Sequence, residues 1–172
     1  MPGWSPEVAN ELIRLAEAED RWLDQLQLQA LVYIAHGWRL ALSNEPLTGD
    51  RPEAWDYGPM YRRLADALAT YGRSPVTGAI PDEQPVLAAY KTRLEPALSK
   101  LDEMEVEFIA EIYQNYSRFE WSQLATIIAG DGSPWQQVLR SEAGKFRDIP
   151  HHLVKAQFVA LLRNADGWRA KG

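Results

Sequence analysis

The chain has 172 residues, 46% of them hydrophobic, including seven Trp and seven Tyr, enough to bury a real core, so one folded unit over residues 1–172 is expected and a disordered class is excluded. Its 18 Lys and Arg against 24 Asp and Glu leave a net charge of −6, which opposes approach to phosphate backbones and argues against a nucleic-acid partner. Cysteine is absent, ruling out disulfide and thiolate chemistry.

The longest apolar stretch, Leu124 to Gly130, falls far short of the roughly 20 residues that cross a bilayer. The opening Met1-Pro2-Gly3-Trp4-Ser5-Pro6 has neither the basic flank nor the apolar run of an export signal. The expectation is a cytoplasmic protein with no membrane association. The densest basic grouping, Arg51, Arg62, Arg63 and Arg73, reads as a solvated helix face and not as a nucleic-acid footprint.

In chain order, Ser5-Pro6-Glu7 predicts a helix start with Pro in the first turn, followed by the apolar stripe Leu12, Leu15, Ala16. The next helix, about Leu23 to Ser43, is apolar on nearly every side, from Leu23 and Leu26 to Ala41 and Leu42. Gln25, Gln29, His36 and Ser43 form its one polar strip, so this helix is expected at the centre of the core. Glu53-Ala54-Trp55-Asp56-Tyr57 reads as a short extended segment. Gly58-Pro59 is expected to end that segment and start a helix carrying Tyr61, Leu64, Ala65, Leu68 and Tyr71, with Gly72 as its C-terminal stop. Ser74 to Ile80 is a candidate turn, or a brief hairpin with the extended segment.

A helix is expected from Gln84, with Leu87, Tyr90 and Leu94 on one face and Pro96 ending it. Asp102 and Glu105 resemble a capping box for a helix through Tyr116. Its apolar face holds Met104, Phe108, Ile109 and Ile112; its opposite face holds Glu103, Glu107 and Glu111, spaced by four. Ser117-Arg118-Phe119-Glu120 predicts a second box, opening Trp121 to Ile128 before the stop at Gly130. Ser133-Pro134-Trp135-Gln136 is a third start, with Ser133 as N-cap. Asp148-Ile149-Pro150 introduces the last helix, with Leu153, Ala156, Val159, Ala160 and Leu161 as its apolar surface. The fold class is therefore mostly α: a compact single-domain helical bundle of about seven helices with at most a short β-hairpin.

Catalytic constellations are missing. Of the three His, His151 and His152 are adjacent and point about 100° apart on a helix, so they cannot chelate together; His36 reads as a hydrogen-bonded or surface residue. Neither G-x-S-x-G nor a glycine-rich phosphate loop occurs, so no cofactor, metal or small-molecule substrate is expected. The competing classes are a small metal-dependent hydrolase or nuclease built from His36 and scattered carboxylates, and a DNA-binding repressor, for which no basic recognition helix is found.

Three motifs occur in order. Leu26-Gln27-Leu28-Gln29-Ala30-Leu31-Val32-Tyr33-Ile34-Ala35-His36-Gly37-Trp38 is followed by Glu53-Ala54-Trp55-Asp56-Tyr57-Gly58-Pro59, with Tyr71-Gly72 after it. Trp121-x-x-Leu124 then precedes Ser133-Pro134-Trp135. Together they resemble the Panacea (SocA-like) antitoxin domain, over about residues 10 to 165. On that resemblance Gln29, Tyr33, Gly37, Trp38, Gly58, Pro59, Trp121, Ser133, Pro134 and Trp135 are the structural motif. The resemblance implies an antitoxin of a two-gene toxin–antitoxin system that neutralises a cognate protein toxin, encoded by a neighbouring gene, through direct contact. Members resemble antitoxins found in bacteria and phages, which makes anti-phage defence a further expectation for this chain, and some are adaptors that hand the toxin to a protease. The sequence departs from the pattern at Gln27 and Ala30, where Lys is common, so no partner contact is carried over to those positions.

Two readings stand for the Trp55–Pro59 turn. In one, Trp55 and Tyr57 fill the core while Gly58 and Pro59 shape the chain. In the other, Trp55, Tyr57, Tyr61, Arg62 and Arg63 line a partner groove, since Trp, Tyr and Arg dominate interface hot spots. Trp135 reads as a staple between helices. The row Glu103, Glu107, Glu111 is either a wet face or a cover for a basic groove on the toxin.

Overall fold

The computed structural model describes residues 2–81, 101–142 and 144–171. The first helix, α1 (Ser5–Ala18), begins at the expected Ser-Pro-Glu. Ser5 does not cap it. The Glu7 carboxylate accepts from the Trp4 N–H at 3.0 Å, and the Ser5 hydroxyl donates to Asp50 at 2.5 Å, tying the chain start to the segment after the second helix.

That second helix, α2 (Gln25–Ser43), is held by a reciprocal box: Asp24 Oδ1 accepts from Gln27 N at 2.8 Å and Gln27 Oε1 accepts from Asp24 N at 3.0 Å. Every residue from Leu28 through Gly37 is buried, as its all-round apolar character predicts. Each fully buried Leu or Ile contributes roughly 1.5–3 kcal/mol relative to exposure. The first turn is partly exposed and the last turn surfaces, with Leu42 59% exposed.

Strands β1 (Glu53–Trp55) and β2 (Gly58–Met60) form an antiparallel hairpin around Asp56-Tyr57. This corrects two expectations: Gly58-Pro59 belongs to a strand and does not start a helix, and β1 does not pair with Ser74–Ile80. Gly58 takes φ +139°, a value glycine tolerates and other residues rarely adopt. Pro59 faces Ala54, whose N–H and C=O turn outward to Arg147 O and Phe146 N, so the rung requires no N–H from Pro59. The loop around Ser74–Ile80 is instead held by Val76 N donating to Leu23 O and by Ile80, whose backbone N–H and C=O both bond the Asn10 side chain.

Helix α3 (Arg62–Leu68) runs into a 3₁₀ turn (Ala69–Tyr71) stopped by Gly72 at φ +56°, as the periodicity predicted. The helix expected from Gln84 lies outside the described residues. Helix α4 (Glu103–Tyr116) has the predicted Asp102/Glu105 box, with bonds of 2.8 and 3.0 Å. It buries Glu105, Ile109, Ile112 and Tyr113, while Met104 stays 70% exposed against expectation, because Glu105 and Ile109 and not Met104 face the core. Ser117 does not cap the next helix: its N–H bonds back to Tyr113 O and its carbonyl accepts from Arg21 at 3.0 Å. The cap of α5 (Trp121–Ile128) is Glu120, whose N–H donates to Gln123 Oε1 at 3.0 Å. Ser133 caps α6 (Pro134–Leu139) as read, accepting from Gln136 N at 3.3 Å.

The last helix, α7 (His151–Lys171), follows Pro150. Among its described side chains Val154 and Phe158 are buried and Leu161 partly buried, while Ala156 and Ala160 are exposed. The expected apolar face was rotated about one residue from the real one. The cause lies across the interface, where Gly37 leaves the room that the Phe158 ring occupies: a Cβ on Gly37 would stand 2.1 Å from that ring. Helix α2 thus packs against α1, α3, α4, α5 and α7. The architecture is mostly α, with seven α-helices and one two-stranded sheet among the described residues. No described helix is long and apolar enough to cross a membrane.

Candidate partner-binding site

The motif residues meet one another. The Gln29 side chain accepts from Tyr61 N at 2.7 Å and donates to Tyr61 O at 3.0 Å, fixing the exit of the hairpin on α2. Tyr33 donates to Gln157 at 2.9 Å and Trp38 Nε1 to Tyr116 Oη at 2.9 Å. Trp121 covers Gly58, where a Cβ would come within 3.3 Å of the indole. Trp135 donates its indole N–H to Trp55 O at 2.6 Å. The hairpin is therefore clamped from behind by α2, α5 and α6.

Its outer side is a surface of aromatic rings and cations. Tyr57, at the tip, is 72% exposed, so it does not fill the core. Trp55 is half-buried and donates to Glu53 at 2.8 Å. Arg62 forks onto the same Glu53 at 2.9 and 3.1 Å and lies 5.2 Å from the Trp55 ring centre and 5.7 Å from that of Phe146. Phe146 meets Trp55 edge-on at 5.4 Å, and Lys145 pairs with Asp56. Arg63 caps the Trp4 ring at 3.9 Å. These neighbours hold the exposed cations in place, which lowers the side-chain entropy lost when a partner arrives. Tyr61, by contrast, is fully buried and belongs to the frame behind this face.

Sequence reasoning missed Phe146 and Lys145. Phe146 adopts φ +68°, a left-handed conformation uncommon for a bulky residue and costing on the order of 1–3 kcal/mol. Its N–H donates to Ala54 O at 2.8 Å, so strand pairing holds the backbone in that state. No periodicity marks such a residue; the neighbouring Gly144, also at positive φ, is the only local signal of a turn.

Glu103, Glu107 and Glu111 lie elsewhere, exposed along α4, which packs on α1 and α2. The structure does not bring them to the hairpin. His36 is buried on the polar strip of α2. Its Nδ1 accepts from Leu47 N and Thr48 N, both at 3.3 Å, which places the ring proton on Nε2, 3.2 Å from His151 Nδ1. Burial, and then the neighbouring His151, push its pKa down to about 3. Burial and Arg51 lower that of His151. Among the described residues no group of three or more His, Asp or Glu converges as a metal-ligand set.

The family model described as antitoxin SocA-like, Panacea domain, matches residues 28–136. The chain belongs to this family. The Panacea match runs from α2 through the hairpin and the start of α6, so the clamp of Gln29, Trp121 and Trp135 on the hairpin lies wholly inside it, whereas Phe146 and α7 lie beyond it. Antitoxin SocA of Caulobacter vibrioides (strain NA1000 / CB15N) is 29% identical over 132 residues, covering 76% of this chain and 68% of that protein. No solved structure matches the chain. Membership of this family supports an antitoxin role.

Proposed function

We propose that this Panacea domain neutralises a cognate protein toxin, encoded by a neighbouring gene, by binding it directly and without catalysis. The observation that carries the role is the family match over residues 28–136. The place is argued from Tyr57, Arg62, Trp55 and Phe146, a clamped and exposed set of the residue types that dominate binding hot spots. The toxin would be held by this face in a stable complex, its action blocked by cover or by a locked shape.

Co-expression tests the role. The neighbouring gene's product should arrest growth alone and be harmless beside this chain; a product harmless alone, or lethal in both cases, refutes it. Tyr57→Ala should weaken protection while leaving the folded state intact, because that side chain lies outside the core.

A further inference from the structure

The α2–α4 surface carries a second feature. An open groove of about 370 Å³ lies between the helices, lined by Trp38, Phe108 and Ile112 and bounded by Leu42, Glu111 and Tyr116. Leu42 is 59% exposed on one wall. On α4, Met104 stands one turn before Phe108 and is 70% exposed, so the apolar track continues past the groove along that helix. From Met104 to Tyr116 the track runs twelve residues, roughly 18 Å at the helical rise of about 1.5 Å per residue.

Beside the track stand Glu103, Glu107 and Glu111, all exposed, repeating every turn or about 6 Å, and none is ion-paired among the described residues. The carbonyl end of α2 adds negative character at Leu42 and Ser43. Among the described residues, two cations near the α2 end are engaged: Arg39 with Glu45 at 2.9 Å and Lys155 with the Asn44 side chain at 2.9 Å. An apolar furrow between two helices accepts a third helix by ridge-into-groove packing, and an acidic rim of one-turn spacing selects Lys or Arg at i and i+4 on the guest.

We infer that the α2–α4 groove binds a basic amphipathic helix of about three to four turns, presented by the toxin. The inference rests on the antitoxin reading for which protein carries the helix, and on the groove alone for the chemistry of the guest.

The test uses the full chain and a fluorescein-labelled peptide of about 15 residues, the length that spans the track, with Leu every third or fourth position and Lys along one flank. Its match has Glu in place of each Lys. Anisotropy should show saturable binding of the Lys peptide, weakened by salt and about tenfold tighter than the Glu peptide. Leu42→Asp, and separately Glu107→Lys with Glu111→Lys, should each weaken it about tenfold, and Tyr57→Ala on the hairpin should leave it unchanged. These positions are exposed, so circular dichroism should show intact folds. No saturable binding, equal binding of the two peptides, or indifference to both groove variants overturns the inference. Co-expression protection in the face of such a result would leave the antitoxin role standing, whereas peptide binding beside a harmless neighbouring product would sink the role alone.

Discussion

At Phe146 a left-handed backbone sets a ring edge-on against Trp55 and beside Arg62. Asn adopts this backbone with less strain, so Phe146→Asn recovers about 1 kcal/mol of strain and loses an aromatic contact of similar size. Its unfolding free energy should stay within about 1 kcal/mol of the parent in urea titration, while affinity for the toxin falls severalfold. A large loss of stability would show that the ring serves packing and not the surface. Gly37 is the opposite case. With Phe158 2.1 Å from where a Cβ would stand, Gly37→Ala forces α2 and α7 apart and should cost about 3 kcal/mol, the upper range for overpacking; an unchanged midpoint would show that the ring relocates freely.

Among the elements, the hairpin and the His36 contact carry the most consequence. Trp135→Phe removes the 2.6 Å bond to Trp55 O and should lower stability by about 1–2 kcal/mol, read by denaturant titration. His36 links α2 to the first residue of α7 through His151. Its folded pKa, about 3, lies below its ordinary 6.5. The unfolded state therefore binds the proton first, so the stabilisation is complete above pH 6.5 and fades as pH falls from there toward 3. The slope of stability against pH over that window should be shallower in His36→Gln than in the parent; identical slopes would contradict the neutral, buried ring. Helix periodicity makes the existence of α1 to α6 legible in the sequence, and Asp102, Ser133 and Gly72 are legible as ends because they act locally, whereas α3 starts at Arg62 and not at Gly58-Pro59, and α5 is capped by Glu120 and not by Ser117. The hairpin was hidden because Gly58-Pro59 also fits a helix start, and only the outward bonding of Ala54 to residues near 147 decides for a strand. The face of α7 was misread because the residue that selects it, Gly37, is more than a hundred positions away.

At the scale of the molecule, the described residues present two differently charged surfaces within a net charge of −6. At the hairpin face Arg62 and Lys145 are paired with Glu53 and Asp56 beside the exposed rings, whereas Glu111 at the α2–α4 groove and Glu103 and Glu107 along the same helix have no ion-pair partner among the described residues. Trp55, Tyr57, Arg62 and Arg63 are readable as candidates because hot-spot residue types flank the Gly58-Pro59 motif on both sides; that Tyr61 is buried and Phe146 joins them depends on long-range packing. Association should therefore be steered by charge, its on-rate falling as salt rises from low to physiological strength; an on-rate independent of salt would remove charge from the account. The most direct measurement of the central claim is calorimetric titration of the purified neighbouring gene product with this chain. The account predicts a saturable complex of fixed stoichiometry, weakened about tenfold by Tyr57→Ala as expected for a hot spot, with toxin activity lost in step with complex formation. Absence of binding, or full toxin activity within the saturated complex, would contradict it.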